Sequence, residues 1–144
     1  MFMKPPSLIS RILIATMLSV AVVGCGESVK IGIVTGVVSK DGKPLDGVMV
    51  SFMPNPLKGT DGKMSRAVTD EQGRYRLSYT GEGIKEGAVV GWHLVTLEDF
   101  ISENYRGPGR PPASRIPALY IDPSASPLSF EVQEGEQEID LDVK

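Results

Sequence analysis

From residue 31 onward the chain repeats one pattern: apolar residues fall at every second position in runs of four to nine, and Gly, Pro, Asp or Asn closes each run. A period of two places alternate side chains on opposite faces of a strand, so each run describes a strand with one face turned to a core. No stretch holds a 3.6-residue period long enough to compete. Seven runs are predicted as strands, over residues 31–39, 48–53, 66–69, 74–79, 89–97, 128–133 and 137–143. Frequent short runs with 16 Gly and 11 Pro between them indicate an all-β chain that turns often, as a two-sheet sandwich does.

The punctuation is as informative as the runs. Asp41-Gly42 tolerates positive φ and predicts a tight hairpin, and Asp70-Glu71-Gln72-Gly73 predicts a second turn leading into Arg74–Tyr79, where Tyr75, Leu77 and Tyr79 share one face. Pro54 and Pro56 end the second strand, because proline cannot donate to a ladder. Residues 55–64 read as an exposed loop. In the fifth run His93, Val95 and Leu97 share a face opposite Trp92, Leu94 and Thr96, so both faces are expected to be partly covered.

Residues 98–115 break the rhythm with charged residues, three prolines and two glycines, which predicts a long polar excursion. Loops carried on a sandwich are where recognition concentrates. Phe100, Tyr105, Arg106, Arg110 and Arg115 are therefore the candidate binding residues. The last strand sets Ile139, Leu141 and Val143 against Glu138, Asp140 and Asp142, giving a solvated acidic face.

The first 24 residues follow different rules. Lys4 and Arg11 precede an uncharged run from Ile12 to Val23, an arrangement of basic and apolar regions that reads as a signal peptide. Twelve residues are too few for a hydrocarbon core of roughly 30 Å, which takes about 20 helical residues to cross. The run ends at Val22-Val23-Gly24-Cys25, which resembles the lipobox of bacterial lipoproteins, and Cys25 is the only cysteine of the chain. The resemblance implies cleavage before Cys25, lipidation of its thiol, export, and an anchor in the cell membrane or outer membrane with the domain in the periplasm or at the surface. The predicted division is 1–24 signal peptide, 25–30 tether and 31–144 domain.

Charge argues against some partners. Loss of Lys4 and Arg11 leaves 13 basic against 18 acidic residues, a charge of −5, and no basic patch interleaved with aromatics suggests nucleic acid. The single histidine has no Cys or second His beside it, so neither a metal site nor any cofactor is expected, and His93 reads as a satisfied, partly buried residue.

The segments Gly36-Val37-Val38 with Asp41-Gly42-Lys43-Pro44-Leu45, Gly47-Val48-Met49-Val50-Ser51-Phe52, and Thr69 through Leu77 together resemble the carboxypeptidase regulatory-like domain, a transthyretin-like sandwich. Gly87 through Leu97, Ile116-Pro117-Ala118-Leu119-Tyr120 and the segment from Ser126 to Asp142 are similar to a subgroup of small lipoproteins of planctomycete-type bacteria. The resemblance implies a seven-stranded Greek-key sandwich and a non-enzymatic accessory role, not peptidase activity. Some transthyretin-like proteins hydrolyse 5-hydroxyisourate with histidines and a terminal Tyr-Arg-Gly-Ser. Here Tyr105-Arg106-Gly107 is followed by Pro108 in mid-chain, and one histidine cannot supply that acid-base pair. The expected function is therefore that of a monomeric, lipid-anchored structural or protein-interaction module of the envelope. The alternative is a sandwich that binds a glycan or small ligand.

Overall fold

The computed structural model describes Met3, residues 28–83 and residues 85–144. The expected signal peptide and Cys25 lie outside the described residues. Among the described residues twelve strands follow in chain order: β1 (Ile31–Lys40), β2 (Lys43–Pro44), β3 (Val48–Pro54), β4 (Ser65–Val68), β5 (Arg74–Arg76), β6 (Ser78–Tyr79), β7 (Lys85–Glu86), β8 (Ala88–Val89), β9 (Gly91–Asp99), β10 (Ser129–Val132), β11 (Glu136–Glu138) and β12 (Leu141–Val143). They form two six-stranded sheets, so the described residues are nearly all β. Each of the seven periodic runs contributes to these strands.

The count exceeds seven because three runs are interrupted and two short strands, β2 and β7, are added. The run 74–79 splits at Leu77: β5 pairs with β1 in one sheet, whereas β6 pairs with β4 in the other. The segment after the Asp70 turn is therefore not the far arm of a simple hairpin but a strand that changes sheets. Inward alternation survives the change, since Tyr75, Leu77 and Tyr79 are all buried. The run 89–97 splits at Gly91, where β8 leaves β1 and β9 begins the opposite sheet. Gly91 has φ 130°, and a Cβ there would lie 2.4 Å from the Thr60 hydroxyl, so glycine is required at this corner.

Strand β1 is the spine of the first sheet. Along one edge it pairs antiparallel with β8, β5 and β2 in turn, and along the other it pairs parallel with β11 and β12. Between those last two, the Asp140 carboxylate accepts from the Val37 amide at 2.9 Å and takes the place of a missing ladder bond. The second sheet has the order β10-β9-β3-β4-β6-β7. Asp41 and Gly42 adopt φ 52° and 74°, which gives the tight turn predicted between β1 and β2.

The core lies between the sheets. Val34, Val38, Val48, Val50, Phe52, Leu77, Val95, Leu97, Val132 and Leu141 are wholly buried, and Tyr75, Ile116 and Tyr120 nearly so. His93 is also wholly buried, while Trp92, Leu94 and Thr96 are half-buried, as the alternation predicts. Residues 55–64 are more ordered than a plain loop. Pro56–Lys58 forms a 3-10 turn, Asn55 Oδ1 caps the Leu57 amide at 3.1 Å, and Gly59 closes the turn at φ 77°. Among the described residues no helix is long and apolar enough to cross a membrane.

Candidate functional site

The two ends of β1 separate two very different surfaces. At its first residues the chain enters from Ser28, the Lys30 carbonyl accepts from Val90, and Lys30 Nζ pairs with Glu134 at 2.7 Å. At its last residue Lys40 Nζ donates to the Arg115 carbonyl at 2.7 Å. A ten-residue strand spans about 30 Å, so the loop that carries the candidate residues sits at the end remote from Ser28.

That loop begins later than its composition suggests. Glu98 and Asp99 still belong to β9, with Asp99 opposite Val48 on β3. The irregular segment runs from Phe100 to Leu128 and is fastened at several points. The Phe100 amide donates to the Gly47 carbonyl at 3.1 Å. Ile116 and Tyr120 enter the core, and a 3-10 turn at Ala118–Tyr120 carries Tyr120 to a position where its hydroxyl accepts from the Lys144 amide at 3.1 Å. Ser126 Oγ donates to the Val95 carbonyl at 2.6 Å.

The strongest fastening is ionic. The Asp99 side chain is fully buried, and its Oδ2 accepts from the Arg115 backbone amide at 2.7 Å and from Arg115 Nε at 2.9 Å. Its Oδ1 accepts from Arg115 Nη2 at 2.8 Å and from the Ile101 amide at 3.1 Å. On the outer side Arg115 Nη1 reaches Asp46 Oδ1 at 2.9 Å, and Nη2 also donates to the Asp46 carbonyl. Burial alone would raise the Asp99 carboxyl, but the guanidinium and the amides of Arg115 and Ile101 outweigh it and hold the group below its ordinary range. Hydrogen bonding to Asp99 raises Arg115 in turn. Four donors saturate Asp99, so it has no free lone pair with which to act as a base, and the pair works as a clasp.

The candidate residues therefore divide. Arg115 points inward and holds the loop, so it is not free to meet a ligand. Tyr105 is half-buried against its own loop: its hydroxyl donates to the Pro108 carbonyl at 2.6 Å, and the ring lies so close that a Cβ on Gly107 would come within 2.6 Å of the hydroxyl. Arg106 is exposed, with Nη1 donating to the carbonyls of Glu103 and Tyr105 at 2.8 and 3.0 Å. Arg110 is exposed and Phe100 half-buried. Farther along the same segment, Leu119 and Ile121 flank the buried Tyr120 and are each 45% exposed, an apolar pair that the sequence reading does not single out.

Asp46 and Asp99 are the residues that sequence reasoning missed. The signal for Asp99 was present, because it occupies the next inward position after His93, Val95 and Leu97, and a carboxylate facing a core requires a partner. No signal pointed to Asp46, which lies 69 residues from Arg115.

His93 departs from a satisfied histidine. Its Nδ1 lies 3.0 Å from the Gly91 carbonyl, which can only accept, so the proton sits on Nδ1. Nε2 is buried with no hydrogen-bond partner among the described residues, and burial lowers the ring's pKa and keeps it neutral. Among the described residues no group of three or more His, Cys, Asp or Glu side chains is placed to hold a metal ion. Open clefts of about 530 and 510 Å³, both touching Gly62 and Lys63, lie at the end where Ser28 enters and not at the clasped loop. No protein-family model matches the chain, and neither curated proteins nor solved structures show a match to it.

Proposed function

We propose that this protein is an exported lipoprotein, cleaved before Cys25 and held in the membrane by acyl chains on that cysteine, whose domain is a non-catalytic, monomeric protein-interaction module of the cell envelope. Its fold is proposed as the Greek-key sandwich of the transthyretin-like, carboxypeptidase regulatory-like kind, the seven periodic runs forming the key and β2 and β7 being local additions. The observation that carries the reading is polarity along β1: the chain enters at one end, and the long fastened loop lies about 30 Å away at the other. An anchor at Cys25 then holds the loop outward from the bilayer. Several acyl chains suffice for a durable anchor, since stable residence takes more than one.

The chemistry of the outward end favours a protein partner. The irregular segment that carries the exposed Arg106 and Arg110 also exposes the apolar Leu119 and Ile121, a mixture that suits a protein surface. A sugar would require a free aromatic face, and Tyr105 is instead folded over Gly107. Because Asp99 and Arg115 clasp the loop, the test replaces only residues 101–113 with a Gly/Ser linker. The replaced chain is expected to stay membrane-bound and folded, and to lose the envelope protein that the wild type retains in a cross-linking pull-down. Undiminished retention moves the site elsewhere, and a positive glycan array that the replacement abolishes selects the sugar-binding alternative. Intact mass of detergent-extracted protein checks the anchor: loss of residues 1–24 with an added lipid mass is expected, and neither should occur in Cys25→Ala.

A further inference from the structure

The end of the domain opposite the clasped loop carries a side chain that the fold itself does not use. Leu57 is 95% exposed, whereas Leu45, Leu77, Leu97 and Leu141 are buried in the core. It is not on a loose segment. Pro54 and Pro56 stiffen the chain on one side, Asn55 caps the Leu57 amide, and Gly59 closes the 3-10 turn at φ 77°. The turn is held to the sandwich at its base: the Asn55 amide donates to the Trp92 carbonyl at 2.9 Å, the Thr60 hydroxyl accepts from the Trp92 amide at 2.8 Å, and Lys58 Nζ lies 3.7 Å from the centre of the Trp92 ring. A rigid turn thus projects one leucine into solvent.

The same end is where the chain begins its domain. Ser28 and Val29 line the cleft of about 530 Å³ together with Lys63, Tyr79 and Lys85. Only residues 26 and 27 separate Ser28 from Cys25, and three peptide units reach at most about 11 Å. If Cys25 carries the acyl chains, this face cannot stand clear of the headgroups, whose layer is itself several ångströms deep on each side of the hydrocarbon. The local charge permits contact. Among the described residues Lys58, Lys63 and Lys85 form no ion pair; Glu82 lines the same cleft, Glu134 is paired with Lys30 and Glu131 stands opposite Trp92 at this end, while Glu138, Asp140 and Asp142 lie farther along β1, toward Lys40.

We infer that this end of the sandwich docks on the phospholipid bilayer that holds its own anchor, with Leu57 inserted beneath the headgroups and Lys63 and Lys85 against lipid phosphates. The inference rests on the reading of Cys25 as the lipidated residue. A preformed turn loses little conformational entropy on insertion, and an apolar side chain flanked by lysines is the composition of interfacial contacts generally. Docking at this end fixes the long axis of β1 away from the membrane and directs the clasped loop outward, rather than leaving the domain free to tumble on its tether.

Trp92 is the only tryptophan and lies against the Leu57 turn, so it is a native reporter. The full lipidated chain is reconstituted in vesicles of phosphatidylglycerol and phosphatidylcholine brominated near the top of its acyl chains. Trp92 emission is expected to fall relative to unbrominated vesicles, and Leu57→Asp is expected to reduce that loss by about twofold or more. Leu57→Ala should reduce it less, Lys63→Glu with Lys85→Glu should reduce it in part, and Leu119→Asp at the far end should leave it unchanged. Equal quenching in wild type and Leu57→Asp, or none in either, overturns the docking. Co-sedimentation of Cys25→Ala beside the wild type judges the anchor separately: if the two sediment alike the anchor reading fails, and Trp92 still decides whether Leu57 touches lipid.

Discussion

The Tyr75 hydroxyl donates to the Ile139 carbonyl across the strand between them, and Gly36 of β1 is the residue that lets them meet. A Cβ at position 36 would lie 1.9 Å from the Ile139 oxygen and 2.9 Å from the Tyr75 ring. The contact joins β5, β1 and the β11–β12 edge at one point. Burial raises the Tyr75 hydroxyl pKa, with the charges of Asp140 and Glu138 adding to it, so it remains a donor throughout the physiological range.

Gly36→Ala is therefore expected to be among the most damaging small substitutions in the chain. It forces backbone apart rather than a flexible side chain, and a loss of about 3 kcal/mol or more is expected, against about 1–2 kcal/mol for Tyr75→Phe, which leaves a buried carbonyl unpaired. Urea unfolding followed by Trp92 fluorescence measures both. A Gly36→Ala protein as stable as wild type would contradict the close approach.

The strand that changes sheets makes a sharper test of register. Leu77 is fully buried, whereas its neighbour Arg76 is exposed and pairs with Glu86 at 2.6 Å. Leu77→Asp places an uncompensated charge between the sheets and should abolish cooperative folding, while Arg76→Gln should stay within about 1 kcal/mol of wild type. Thermal melts by circular dichroism separate the two.

The clasp predicts unequal arginines. Arg115→Met strands a buried carboxylate and should cost about 2–3 kcal/mol, whereas Arg106→Ala and Arg110→Ala should change stability by no more than about 0.5 kcal/mol. Limited proteolysis should cut within 101–113 much faster in Arg115→Met than in wild type. Equal cleavage would show that the prolines alone order the loop.

Two buried groups set the acid limb of stability. Asp99 has a depressed folded-state pKa, so its contribution is complete above the unfolded value of about 3.9 and is lost as pH falls through the folded value. His93 is also depressed, because burial disfavours the imidazolium, and its contribution declines once pH drops below the unfolded value of about 6.5. Stability measured from pH 8 down to pH 3 should therefore fall in two stages. His93→Phe should remove the upper stage and Asp99→Asn the lower, at the cost of a weaker clasp at neutral pH.

How far these features were legible in the sequence depends on the distance over which each is decided. Strand faces are local: Val48, Val50 and Phe52, or Tyr75, Leu77 and Tyr79, declare their buried side through a period of two that no neighbouring element can alter without moving every side chain to the other face. The tight turn at Asp41-Gly42 is local for the same reason, since two residues alone must accept positive φ. The all-β class and the run of seven apolar segments followed from such signals. What each strand pairs with did not. Whether the chain after Arg76 continues beside β1 or crosses to β4 is decided by which ladder partners are free on either sheet. The role of Arg115 is likewise non-local, because in the sequence it is one of several loop arginines, and only folding brings Asp46 and Asp99 to it from 69 and 16 residues away. Leu57 is the converse case: its exposure follows from the aperiodic segment 55–64, whereas the capped turn that fixes its direction rests on Trp92 of a distant strand. Alternation is a property of the backbone at each residue, whereas pairing, clasping and the direction of a capped turn are properties of what the remainder of the chain places nearby.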